Sequence, residues 1–126
     1  MNVLVDTSVW INHFRAKNAA LIDLVTLGRA ITHPMVLIEL ACGTLPAPRD
    51  RTLRDIAVLA TAHQTTAAEV RKFIEQEKLF GLGCGLVDVS LLSAVLITPN
   101  AKLWTLDKRL ADVARRFGVQ YAPTMH

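Results

Sequence analysis

Thiols are scarce in this chain: Cys42 and Cys84 are its two cysteines, isolated and without metal-ligand spacing. That argues against a disulfide framework and a thiolate zinc site, and for a reduced compartment in which both are small buried thiols. Histidine pairs are missing too. His13, His33, His63 and His126 are scattered and are expected at the surface or satisfied locally. No apolar run is long enough for a membrane span: the stretch Val89 to Pro99 is interrupted by serines and reaches only about half of the ~20 residues a span needs. The N-terminus lacks a basic n-region, and Asp6 falls where a signal peptide would be apolar, so a cytoplasmic, non-membrane protein is expected. Repeats, low-complexity tracts and long linkers are lacking, which leaves residues 1–126 as one domain.

What is present is a globular composition, 52% hydrophobic and 20% charged, sufficient for a single core with two layers around a sheet. Val3 to Val5 reads as a strand ending at Asp6, and Ser8 to about Arg15 as a helix with Trp10 and Phe14 on one side. Leu21, Leu24 and Val25 give a second helix, ended by Gly28, its apolar face, and Ala30 to Thr32 is a short strand. Pro34 opens a helix over about Met35 to Ala41, stopped by Gly43. After the Pro46-Ala47-Pro48 break comes an Arg-rich helix carrying Leu53, Ile56, Ala57 and Ala60. Thr65-Thr66 caps a longer helix through Val70, Phe73, Ile74 and Leu79, which ends in the glycine-dense Gly81 to Gly85. Val87 to Ile97 is apolar nearly all round, as a central buried helix is. Lys102 to Thr105 is a strand, and Leu106, Leu110, Val113 and Phe117 mark the last helix. Val119 to Tyr121 is a final short strand. Alternating strands and helices predict an α/β fold with a parallel sheet covered by helices.

Four acids stand out against this frame. Asp6 closes the first strand, and Asp107 follows Trp104-Thr105-Leu106 at the end of a later one. Carboxyl ends of parallel strands are where open α/β sheets bind ligands. For Asp6 alone, the competing assignment is a helix N-cap shared with Thr7 or Ser8. Glu39 sits in Val36-Leu37-Ile38-Glu39-Leu40-Ala41, and Asp88 at the first turn of the most apolar helix. A helix N-terminus stabilises a carboxylate by roughly 0.3–1 kcal/mol, whereas burying an unpaired one costs several kcal/mol. No Lys or Arg lies within four residues of Glu39 or Asp88. Either these side chains reach the surface or a positive group meets them. Hard carboxylate oxygens without Cys or His select Mg²⁺ or Mn²⁺ over zinc.

The net charge is +3 with a pI near 9.2. Setting the acids aside in one pocket would leave a more basic exterior, with clusters at Arg49, Arg51 and Arg54, at Arg71 and Lys72, and at Lys108, Arg109, Arg115 and Arg116. Each is expected as a solvated helix face, and together they suit a polyanion such as RNA.

The order of these pieces resembles the PIN-domain ribonucleases, specifically the VapC toxins of bacterial and archaeal toxin–antitoxin pairs. The similarity rests on Val3-Leu4-Val5-Asp6-Thr7-Ser8, on Ile38-Glu39-Leu40-Ala41-Cys42-Gly43, on Asp88, and on Thr105-Leu106-Asp107. His33-Pro34-Met35 departs from the family, in which a small hydroxyl-bearing segment often precedes the second acid, and Ser90-Leu91-Leu92 stand where alanines are frequent. The resemblance implies a three-layer α/β/α sandwich and a Mg²⁺- or Mn²⁺-dependent endoribonuclease leaving a 5′-phosphate and a 3′-hydroxyl. It also implies a homodimer and a cognate VapB-type antitoxin whose tail crosses the acidic pocket. Carried over by position, Asp6, Glu39, Asp88 and Asp107 form the acidic quartet. Ser8 and Thr105 are polar helpers. Asp6 and Asp88 hold the metal, with Asp107 joining them directly or through water, and Glu39 holds a second ion or orients the attacking water. Trp10 and Phe14, with Leu53, Ile56 and Leu59, offer apolar side chains for a partner or for ordinary packing.

Other acidic α/β pockets fit less well. A receiver domain needs an acid pair after its first strand and a late Lys; an aspartate-nucleophile phosphatase needs an acid where Ser8 stands. A PIN-like module that only binds RNA or protein is the non-enzymatic alternative.

Overall fold

The computed structural model describes residues 1–123; His126 lies outside the described residues. Strand β1 (Asn2–Val5) leads into α1 (Thr7–Arg15) and α2 (Ala19–Thr26), then β2 (Ala30–Thr32), α3 (Pro34–Cys42) and α4 (Arg49–Ala57). Strand β3 (Ala60–Thr61), α5 (Ala67–Glu77), α6 (Leu86–Ile97), β4 (Ala101–Trp104) and α7 (Lys108–Arg116) complete the order. The four strands form one parallel sheet in the order β3-β2-β1-β4. Helices flank it as a PIN-like α/β sandwich: α6 and α7 pack on β4, and α2 on β2.

The core explains the order. Val3, Leu4 and Val5 are buried without alternation, as expected for a strand covered on both faces. From Val89 to Val95 every residue of α6 is buried, which makes it the central helix. Strand order runs one way from β1 to β2 and β3, then returns to place β4 on the other side of β1. The crevice between the carboxyl ends of β1 and β4 is therefore the topological switch point, where α/β sheets hold ligands.

Two elements depart from the sequence reading. Ala60 belongs to β3, not to the Arg-rich helix, because that helix ends at Ala57 and Ala60 pairs with Ile31. The final strand is reduced to one bridge, Gln120 beside Leu103. The thiols also differ: Cys42 is exposed and Cys84 half-buried. Cys42 ends α3 just before its C-cap, Gly43, and faces solvent.

Candidate active site

Strand register builds the first part of the site. Val5 pairs with Trp104, and the Asp6 amide donates to the Trp104 carbonyl at 2.9 Å, so Asp6 and Thr105 leave the sheet side by side. Asp6 occupies the N-cap position of α1 but makes no side-chain cap bond. Its Oδ2 instead accepts the Ser8 hydroxyl at 2.7 Å and the Thr105 hydroxyl at 2.7 Å. Each hydroxyl is itself oriented by a backbone amide: Leu106 N–H donates to Ser8 Oγ at 3.0 Å, and Asp107 N–H to Thr105 Oγ1 at 3.0 Å. A hydroxyl has one proton. With an amide on each oxygen, both protons point to Asp6, locking a carboxylate only 5% exposed and leaving Oδ1 outside those two bonds.

Asp107 does act as a cap, its Oδ1 accepting the Leu110 amide at 3.1 Å, and it is exposed. Asp88 is half-buried at the third position of α6, where its Oδ2 accepts the Gly85 amide at 3.0 Å. Burial pushes its carboxyl above the ordinary value of 3.8; the Gly85 amide opposes this, and the charges of Asp6 and Asp107 add to the rise. Asp88 thus lies within electrostatic reach of both strand-end acids.

Glu39 is exposed, not enclosed by its apolar helix. Its Oε1 accepts the hydroxyl of buried Thr7 at 2.7 Å, which ties it to the same turn as Asp6. Thr7 is the residue that sequence reasoning missed in this role. A strand-to-helix turn aims successive side chains apart, and that divergence was the available signal. A trough of about 550 Å³ opens beside Glu39, lined by Ile11, Phe14, Arg15, Leu40 and Leu45 among others.

Two further features set the site's character. His33 is buried and caps α3, its Nδ1 accepting the Met35 amide at 3.0 Å, and burial lowers its pKa. Among the described residues, ion pairs join Arg51 to Asp55, Arg115 to Asp112 and Arg116 to Glu77; none engages the four acids. The all-oxygen donor set suits a hard divalent cation. No three His, Cys, Asp or Glu side chains among the described residues converge into a ready-made ion cage.

With this arrangement in view, comparison with known proteins is decisive. Residues 3–116 match the PIN domain. The chain belongs to the PIN-domain family, in its VapC branch. It is 42% identical over 120 residues to ribonuclease VapC32 of Mycobacterium tuberculosis, covering 95% of this chain and 96% of the relative, and equally so in strains CDC 1551 / Oshkosh and ATCC 25618 / H37Rv. The matched residues include all four acids and both hydroxyl-bearing side chains, Ser8 and Thr105.

Proposed function

We propose that this PIN domain is a divalent-cation-dependent endoribonuclease, the toxin of a toxin–antitoxin pair, which slows growth by cutting RNA needed for translation. The observation that carries the reading is Asp6: a buried carboxylate at a helix N-cap position that declines to cap and is held by two hydroxyls. Asp6 and Asp88 are the residues that would hold Mg²⁺ or Mn²⁺, with Asp107 joining them directly or through water. Bound there, the ion would supply Lewis-acid stabilisation of the phosphate and a more acidic water.

The chain's own groups have separable tasks. Ser8 and Thr105 fix the rotamer of Asp6, so its charge faces the crevice without thermal reorientation. Glu39, held by Thr7 at the mouth of the trough, orients the attacking water as a general base or holds a second ion. Breaking the P–O3′ bond then leaves a 5′-phosphate and a 3′-hydroxyl. Basic side chains around the pocket meet the RNA backbone, and binding weakens with salt.

A VapB-type antitoxin is proposed to lay its tail along the trough beside Glu39, whose lining combines aliphatic walls with Arg15. A homodimer is proposed alongside it, supported by exposed Leu96 and Ile97 at the end of α6. The alternative assignment is a PIN-like module that binds RNA without cutting it. An RNA cleavage assay in Mg²⁺ and in EDTA separates the two. Cleavage that stops in EDTA and in Asp6→Asn is the expected result; equal background cleavage in all samples would sink the enzyme reading.

A further inference from the structure

Arg109, two residues from Asp107, packs its side chain against a glycine of the loop before α6. A Cβ placed on Gly83 would meet Arg109 Cδ at 2.7 Å, Nη1 at 3.0 Å and Nε at 3.1 Å. The guanidinium end of Arg109 therefore packs directly over the Gly83 backbone, and a side chain there would push it aside. Gly83 also has a φ of +81°, so the loop is shaped for glycine twice over.

The two ends of this contact belong to the two acid-bearing segments. Gly83 is two residues before Gly85, the N-cap of α6 whose amide holds Asp88. Arg109 is two residues after Asp107, the N-cap of α7. Burial raises the pKa of the Cys84 thiol, the charges of Asp88 and Asp107 add to the rise, and Arg109 opposes it. Among the described residues Arg109 makes no ion pair or side-chain hydrogen bond, a state it shares with Arg15, Arg54 and Arg71, while Arg49, Arg51, Arg115 and Arg116 have partners within the fold; of the four without partners, Arg109 is the one two residues from Asp107. It is exposed. A planar fork with five donors, fixed on one side and open on the other, suits a phosphate oxygen pair.

We infer that Arg109 is a substrate-positioning residue, which grips an RNA phosphate beside the scissile one while Gly83 holds its guanidinium in place. This rests on the ribonuclease reading of the same pocket. The phosphate and the acids are served by different groups: the acids face the scissile bond, and Arg109 offsets their repulsion of the neighbouring phosphate. Lysine would keep the charge but lose the flat seat over Gly83 and the fork.

The test uses the full chain carrying Asp6→Asn, so that binding is read without cleavage, with a labelled single-stranded RNA of mixed sequence and Mg²⁺ present. Adding Arg109→Ala should weaken binding about tenfold and make the slope of log affinity against log salt shallower by about 0.7, one single-strand contact. Arg109→Lys should restore the slope and only part of the affinity. Gly83→Ala should weaken binding when Arg109 is present and add little when it is alanine, a coupling that backbone strain alone does not produce. With Asp6 intact, Arg109→Ala should raise KM far more than it lowers kcat. Unchanged affinity and salt slope in Arg109→Ala would overturn the inference while leaving the ribonuclease reading standing. A parent chain with neither RNA binding nor cleavage would overturn both.

Discussion

Three consecutive side chains at the end of β1 finish on three different partners. Asp6 is held by two hydroxyls, Thr7 donates to Glu39, and Ser8 links Asp6 to the Leu106 amide. Because Asn keeps an acceptor oxygen for both hydroxyls, Asp6→Asn should leave the circular dichroism and melting temperature nearly unchanged. Its cleavage rate should fall by a factor on the order of a thousand or more, as for loss of a group acting directly on the reaction. Thr105→Val removes one of the two locks without touching a charge. The expected loss is about 10–100-fold in activity or metal affinity, measured by cleavage kinetics and Mg²⁺ titration; full activity would show that Ser8 alone suffices. Asp6 could be singled out from sequence because a carboxylate closes an apolar strand. Its escape from capping could not, since that depends on Thr105 arriving from a strand about a hundred positions away.

At the scale of elements, the glycine loop and the caps divide the labour. The capping box of α5, formed by Thr66 and Glu69 in both directions, is legible as Thr-x-x-Glu in the sequence. Thr66→Ala should cost about 1 kcal/mol in denaturant unfolding and leave cleavage unaffected, because α5 carries none of the four acids. The buried helix α6 was equally legible, since Val89 to Val95 lacks a polar face. Strand β3 was not: two residues, both exposed, have no pattern of their own and are strand only because β2 offers an edge. The closing strand failed in the opposite sense, with β-prone residues at Val119 to Tyr121 giving one bridge to the sheet edge. The basic clusters stay on solvated helix faces, as expected, though several members find partners there. Arg49 satisfies carbonyls at the end of α3, Arg115 and Arg116 meet acids and a ring, and Lys108 and Arg109 are left beside Asp107.

For the molecule as a whole, the acids set a conflict between stability and charge. Asp88 has a folded pKa raised above its ordinary 3.8, so the fold favours its protonated form. Its contribution to stability is present below the ordinary value and is lost as pH rises through the raised one. A cation bound by the ionised form reverses the preference. The melting temperature should therefore gain more from Mg²⁺ as pH climbs above that window, by the mass-action shift expected of native-state binding. Thermal melts across pH with Mg²⁺ or EDTA check this, and Asp88→Asn should flatten the difference. An equal Mg²⁺ effect throughout would remove Asp88 from the ion. Cleavage should rise through the same window as the carboxylate forms.

Sequence by itself determined the alternation of strands and helices, the buried central helix, and the identity of the four acids, because each is written in local periodicity or in a charge set among apolar neighbours. Only tertiary structure decided which groups those acids meet. Parallel register brings Thr105 onto Asp6, α6 carries Asp88 within reach of two strand ends, Thr7 fastens an exposed Glu39, and Gly83 makes a seat for Arg109. Each relates residues far apart in the chain, and local pattern carries no information about such distances.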